Sequence, residues 1–464
     1  MRSTRINFFS VSARIVAGVV LWLGLSPAGR GAEDLPPLPK GPLFLTSVTA
    51  EQLDANYWIR KLPDPDRLIK TPEQLEKFNR EIHDMIVERK DIFRLDEKIS
   101  GSAIREVITT AFEALRGRGL FDVNDQVVSR AHFDKEIKPR LNLDAIGKSV
   151  SVRWGAAVRA TSVRALPTSE NMLQEKGDIE FDQLQFSLIK SWTPVAIYQA
   201  SDDGLWYFVQ APYVRGWVRS RDIAVFSDRA QLKQYAKAKS FLVITGESAS
   251  IFKDPERTQT EQRVTMGTVI PIAGKNTTAY EVWMPYRGDG GKVTIGKRYV
   301  SFKSDTREGF LPYTQRNVIR QAFKLLGVRY GWGGMYNGRD CSGFIHDVFL
   351  SVGVDMPRDS RQQGVIGTQI GNFEPFVDQE MKRRALRSAR PGITLLTKPL
   401  HVMLYLGEDR GQFYIIHSTW AERYSMTSDA KNRINQVVVS DLTLNGRSHT
   451  GSLFDRMISA NEIN

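Results

Sequence analysis

The chain has 464 residues, of which 41% are hydrophobic: apolar enough for packed cores and long enough for about three or four domains. One cysteine excludes an intrachain disulfide, and with six scattered histidines it offers no zinc-ligand spacing, so neither a metal nor another cofactor is expected. The formal charge of +12 suits an acidic partner, with nucleic acid one candidate on charge alone.

In chain order, residues 1–28 read as a signal peptide. Arginines at 2, 5 and 14 precede the apolar run Ile15 to Leu25, and Ser26-Pro27-Ala28 supplies small residues for cleavage. The run falls short of the about 20 residues a spanning helix needs, although an uncleaved N-terminal anchor is a competing reading. Removing the three arginines takes the charge from +12 to +9. No later segment is expected to cross a membrane. No cysteine stands directly after the apolar run, so no lipid anchor is expected there. Export, to a periplasmic or extracellular location, argues against a nucleic-acid partner.

Residues 29–150 are expected to form a mostly helical N-terminal domain. It begins with a proline-rich tether, Asp34 to Pro42. Thr71-Pro72-Glu73-Gln74 is a helix start with Thr as N-cap, Pro at the first helical position and Gln at the third. A second helical pattern runs from Ser102 to Leu115. His83 and His132 read as ordinary surface histidines.

From Ser151 the texture changes to short β-prone runs, Val195 to Tyr198, Trp206 to Val209 and Gly216 to Val218, broken by turn residues such as Ser201-Asp202-Asp203-Gly204. This pattern resembles a bacterial SH3 domain and implies an all-β SH3-like barrel over 151–227. Phe241 to Ile244, Val269 to Ile272, Glu281 to Pro285 and Gly309 to Pro312 repeat the theme, so 228–312 is expected to be a second such barrel.

Residues 313–464 hold the chemistry. Glycines at 331, 333, 334 and 338 make a tight loop that ends in Asp340-Cys341-Ser342-Gly343. Phe344, Ile345, Val348, Phe349 and Val352 then share one helical face, and Gly353 stops the helix. Asp340 is a good N-cap, so Cys341 is expected in the first turn, where the helix dipole favours a thiolate. Downstream, His401 opens the apolar run His401 to Gly407, and His417 closes Phe413 to His417. The intervening Glu408 to Gln412 has hairpin composition, which predicts an antiparallel pair with both histidines remote from the turn. One is expected to be the base and the other the group that orients it. His346 lies five residues past Cys341 on the same helix, about 140° around it, and is excluded as base. His449 sits in a polar loop and reads as a surface residue.

The Tyr330-x-Trp332-Gly-Gly loop, the Asp-Cys-Ser-Gly at a helix start, the His-Val-x-Leu-Tyr-Leu-Gly strand and the second His resemble the NlpC/P60 cysteine peptidases of bacterial cell walls. The resemblance implies an α+β papain-like catalytic domain. It makes Cys341 the nucleophile, His401 the base, His417 the orienting residue and Tyr330 a partner of the oxyanion. It also implies that Asp340 and Ser342 bind the free amine of an L-Ala, together with an acid and a tyrosine from the first barrel. Asp182 and Tyr213 are the candidates for these, with Asp178 or Glu180 as alternatives for the acid. Ser360 is expected either to meet the α-carboxylate of a D-Glu or to cap a following helix. Pro391-Gly392-Ile393-Thr394 departs from the family's usual Pro-Gly-Asp.

The expected reaction is hydrolysis of the γ-D-Glu–diamino acid amide of peptidoglycan stem peptides through a thioester, by a monomer, with meso-diaminopimelate and Lys both open. The many carboxylates of the wall fit the basic charge. The rivals are a wall-binding or scaffolding protein with an inactive domain, and a cysteine amidase or acyltransferase with a different acyl substrate.

Overall fold

The turn residues identified above mark corners of two of the three large antiparallel sheets in the computed structural model, which describes residues 45, 47–373 and 377–464. The expected signal peptide and tether lie outside the described residues. The chain divides into two units, each treated by itself.

The first unit is Val87–Lys237 with Met284–Gly296. Its seven strands run Gln185–Ile189, Thr161–Arg164, Arg215–Arg219, Trp206–Gln210, Pro194–Ala200, Arg153–Ala157 and Ile223–Val225 across the sheet. The two tryptophan-bearing strands pair directly, with Phe208 opposite Trp217. Gly216 is required there, because a Cβ would stand 2.6 Å from the Arg164 carbonyl oxygen. Val163, Ile189, Val195, Ile197, Val209, Val218 and Ile223 alternate inward to fill the core. The helix Gly101–Arg116 also belongs to this unit and buries Ile104, Ile108, Phe112 and Leu115.

The second unit comprises residues up to Ile86, Ala238–Trp283 and Lys297–Asn464. Its helix Pro72–Met85 starts with the expected capping box: Gln74 N–H donates to Thr71 Oγ1 at 3.3 Å, and Thr71 N–H to Gln74 Oε1 at 2.9 Å. Phe78 and Ile82 on this helix share a core cluster with Tyr313, Val348 and Val352. The helical N-terminal region is therefore not one domain. The chain passes between units after Ile86, because the apolar stripes of its two long helices are buried in different cores.

A seven-stranded sheet over 241–308 has the order Thr260–Thr265, Ser248–Phe252, Val293–Ser301, Ala279–Arg287, Val269–Lys275, Phe241–Ile244 and Thr306–Glu308. Its Met266 joins the cluster that holds the Cys341 helix.

The third sheet has the order Thr368–Asn372, Ser459–Glu462, Thr394–Lys398, His401–Asp409, Gln412–Arg423 and Lys431–Asp441. Val402, Leu404, Leu406, Ile416, Val437 and Val439 face the helices Cys341–Ser351 and Gln315–Lys324. Met403, Tyr405, Phe413, Ile415 and Val438 face the other way, onto Leu386 of the helix Gln379–Ser388. Both faces are covered, which is why these strands read as continuous apolar runs instead of alternating ones. The hairpin turns where expected: Asp409 lies opposite Gln412, and Arg410 (φ +51°) and Gly411 (φ +76°) make a two-residue left-handed turn.

Candidate active site

The glycine-rich loop folds back on itself so closely that two of its glycines admit no side chain. A Cβ on Gly331 would stand 2.1 Å from the Met335 carbonyl oxygen, and one on Gly338 would stand 2.6 Å from that of Arg329. Tyr336 and Asn337 adopt φ near +58° and +57°, a conformation non-glycine residues take rarely and mostly where surroundings enforce it. The root is pinned by Arg339 N–H to Arg329 C=O (3.1 Å) and Tyr330 N–H to Asn435 C=O (2.9 Å), which leaves Tyr330 buried at the start of the loop.

The loop delivers Asp340 as N-cap of the helix Cys341–Ser351, where its Oδ1 accepts from Gly343 N–H at 2.7 Å. Asp340 does far more than cap. Its Oδ2 accepts from Gly333 N–H (2.9 Å), tying loop to helix, and Arg358 clamps both oxygens, Nη1 to Oδ1 at 2.9 Å and Nη2 to Oδ2 at 2.6 Å. Ser342 Oγ donates to Oδ1 at 3.2 Å and accepts from Arg358 Nη1 at 2.8 Å. Burial pushes the Asp340 carboxyl up, but the Arg358 guanidinium outweighs it and holds the group below the usual carboxylate range. Five donors thus meet two oxygens that ordinarily accept about four hydrogen bonds. Asp340 and Ser342, the expected partners of a substrate ammonium, thus also stand in a structural network with Arg358.

Cys341 opens the helix and is buried. Its Sγ lies 4.0 Å from the Leu400 carbonyl oxygen and against the Val402 N–H, so the sulfur is set on the backbone on either side of His401. Burial pushes the thiol up to about 12, with the Asp340 charge adding to it; the Val402 N–H, Lys398 and Arg358 pull the other way. This corrects the expectation of a dipole-stabilised thiolate. The helix N-terminus is present, but desolvation and a neighbouring anion outweigh it.

His401 Nε2 and His417 Nδ1 are 2.8 Å apart, and His417 Nε2 is 3.2 Å from Ser440 Oγ. Burial, and after it Lys398, holds both imidazoles down, His401 well below the usual value and His417 at about 3. Both are therefore neutral at neutral pH. If His401 donates its Nε2–H to His417, and His417 its Nε2–H to Ser440, then Nδ1 of His401 keeps a lone pair that can take a proton.

The remaining expected residues lie as follows. Asp359, one residue before Ser360, caps the short helix Ser360–Gln363 by accepting from Arg361 N–H at 2.9 Å, so Ser360 is its first residue and not its cap. Asp182 is fully buried in the first unit, paired with Arg164 at 2.9 Å and accepting from Met172 and Leu184 N–H. The Tyr213 hydroxyl donates to the Leu188 carbonyl at 3.2 Å. Both are committed within the barrel. His346 is buried beside Asp347, which pairs with Arg339. His83 and His132 are not isolated: each meets a carboxylate, Asp355 at 2.6 Å and Glu170 at 2.7 Å. His449 is exposed, as expected.

Three contributors escape the sequence. Ser440 lies in an apolar strand without a distinguishing signal. Gln363 is buried and donates to the Ser342 and Pro357 carbonyls at 2.9 and 2.7 Å, tying its helix to the Cys341 helix. Lys398 faces Cys341 from the turn before His401.

Residues 327–442 match the NlpC/P60 family, and residues 168–219 match the SH3 domain family of SH3b1 type. The chain is similar to the gamma-D-glutamyl-L-lysine dipeptidyl-peptidase of Bacillus cereus, 25% identical over 212 residues, which are 45% of this chain and 57% of that protein. It is 29% identical over 101 residues to the protein of the same name from Bacillus subtilis, covering 22% of this chain and 31% of that one. The chain thus spans less than two thirds of the length of these curated relatives. The structure of an NlpC/P60 endopeptidase from Photobacterium damselae subsp. piscicida superposes with a TM-score of 0.72, covering 91% of this chain and 99% of that chain at 17% identity, a likeness of fold.

Proposed function

For a chain that carries an NlpC/P60 domain together with an SH3 domain, we propose a cysteine peptidase that cleaves the γ-D-Glu–diamino acid amide of peptidoglycan stem peptides, working outside the cytoplasm. The observation that carries the reading is the only cysteine of the chain, at a helix start, against the backbone around a histidine whose Nε2 is 2.8 Å from a second histidine.

The protonation states favour attack with proton transfer over a preformed ion pair. The Cys341 sulfur bonds to the γ-carbonyl carbon as its proton passes to Nδ1 of His401, and the carbonyl electron pair moves to oxygen. The Cys341 backbone N–H, in the first turn, and Tyr330 are the donors proposed to meet that oxyanion. The tetrahedral species collapses with rupture of the C–N bond, and the imidazolium returns its proton to the leaving amine. Water then adds to the thioester, giving a proton to His401; the C–S bond breaks, and the thiol regains that proton. His417 accepts from His401 Nε2 throughout and stays neutral, steadying the imidazolium. A free amino terminus on the peptide remains the proposed partner of Asp340 and Ser342, beside the bonds they make to Arg358.

Incubating L-Ala-γ-D-Glu-meso-diaminopimelate and its L-lysine counterpart with wild type and Cys341→Ala tests the reading. Release of the diamino acid by wild type alone supports it. No release from either peptide by reduced wild type sinks it in favour of a binding protein.

A further inference from the structure

The strands Thr394–Lys398 and His401–Asp409 are joined by two residues, Pro399 and Leu400, and Leu400 holds φ +63° while 47% exposed. An exposed leucine in the left-handed region is strained, and here the turn sets the Leu400 carbonyl on the Cys341 sulfur. The same turn pairs Lys398 with His401 across the strands, and directly opposed residues project to one face. Ile458 N–H donates to the Thr397 carbonyl at 2.8 Å, which brings the segment carrying Arg456 alongside this end of the sheet. Arg423 ends the His417 strand. The charged neighbours that act on the Lys398 ammonium are Arg456, Cys341 and Arg423, with no carboxylate among them. Its hydrogen bond goes to the Pro399 carbonyl at 3.4 Å, and among the described residues it makes no ion pair. Burial, then Arg456, brings it down to about 7. Arg423 pairs with Asp429 at 3.2 Å, and Arg456 donates to Thr450 Oγ1 at 3.4 Å.

A lysine beside a reactive thiol that neighbours two arginines and makes no ion pair of its own calls for an anion from outside. Lys398 is the cation of this group that acts on Cys341, and Arg456 and Arg423 act on Lys398 in turn, whereas the helix-capping pair Asp340 and Arg358 acts on Cys341 alone. We propose that Lys398, with Arg456 and Arg423, is a carboxylate subsite for the leaving diamino acid, and that it selects diaminopimelate over lysine. This rests on the hydrolase reading above. The side chain of lysine would bring a lone ammonium into three cations, whereas the far end of diaminopimelate brings a carboxylate with its ammonium. Such a site rejects one and accepts the other. A carboxylate there would also offset the positive charge that now lowers the proton affinity of His401, the group that takes the thiol proton.

Two measurements test it. In the first, kcat/KM is compared for the diaminopimelate and lysine tripeptides with wild type, Lys398→Met and Lys398→Arg. Wild type should favour diaminopimelate by about tenfold or more, Lys398→Met should bring the ratio toward unity, and Lys398→Arg should restore it. A wild-type ratio at or below unity, or one unchanged by Lys398→Met, overturns the proposal; the unchanged ratio is also the outcome if Lys398 serves the acyl half of the peptide. The second needs no turnover: ligand-observed NMR of meso-diaminopimelate and L-lysine with the Cys341→Ala protein, with and without Lys398→Met. Preferential contact by diaminopimelate, lost with Lys398→Met, supports the subsite even if neither tripeptide is cleaved. Equal contact, or none, overturns it whatever the hydrolase does.

Discussion

Replacing Arg358 by Met leaves the Asp340 carboxylate without the two bonds of 2.6 and 2.9 Å that neutralise it, while its hydrogen bonds from Gly333, Ser342 and Gly343 remain. Asp340 is 7% exposed, and the Arg358 side chain 12%. Stranding one member of such a buried pair costs about 3–5 kcal/mol. The cost has a ceiling, since the carboxyl can instead take up a proton. From an unfolded value near 3.8 that costs about 4.4 kcal/mol at pH 7 and about 1.6 kcal/mol at pH 5. In wild type the folded carboxyl lies below its unfolded value, so its stabilisation is present above about pH 3.8 and is lost as the pH falls further. Denaturant unfolding of wild type and Arg358→Met should therefore differ by about 3–4 kcal/mol at pH 7 and by less than about 2 kcal/mol at pH 5. The double variant Arg358→Met/Asp340→Asn, which removes the stranded charge, should recover more than about 1 kcal/mol at pH 7 and show no such pH dependence. A gap between wild type and Arg358→Met that is equal at both pH values would refute the reasoning, as would strict additivity in the double variant.

The buried thiol, pushed up to about 12, should react with iodoacetamide about three orders of magnitude more slowly at pH 7.5 than an exposed cysteine, and about tenfold faster per pH unit up to pH 10; a plateau near pH 7 would mean a resting ion pair and a different mechanism. His401 and His417 both lie below their unfolded values, so the stability they confer is present above about pH 6.5 and lost as the pH falls, by about 2 kcal/mol for each at pH 5. Unfolding of His417→Gln should show a shallower pH slope than wild type, and an identical slope contradicts the assignment. Gly331→Ala forces a Cβ onto the Met335 carbonyl and should cost about 1–3 kcal/mol along with most activity; a variant with unchanged melting temperature and kcat/KM would show that the loop gives way freely.

The proposed catalytic groups could be picked out because local signals coincide in this region: close-approach glycines, an N-cap before a lone cysteine, and apolar runs around a two-residue turn. The first barrel was legible through its turn at Ser201 to Gly204 and through the tryptophan strands, which pair as expected. Pairing across space is what the linear pattern lacked. Nothing in the sequence around Arg358 points to Asp340, eighteen positions earlier. Thr260–Thr265 reads as polar because it is an edge strand with little to bury, so it carries no apolar run. The thiol expectation erred because helix position is visible in sequence and desolvation is not. The single helical domain erred for a related reason: an amphipathic stripe says that a helix packs, not on which core.

Acyl transfer to hydroxylamine during digestion of the diaminopimelate tripeptide tests the thioester most directly. The account predicts that wild type forms L-Ala-γ-D-Glu hydroxamate in proportion to added hydroxylamine, at the expense of the free acid, and that Cys341→Ala forms neither product. Diamino acid release by Cys341→Ala, or release by wild type with free acid as the sole acyl product at every hydroxylamine concentration, would contradict covalent catalysis by Cys341.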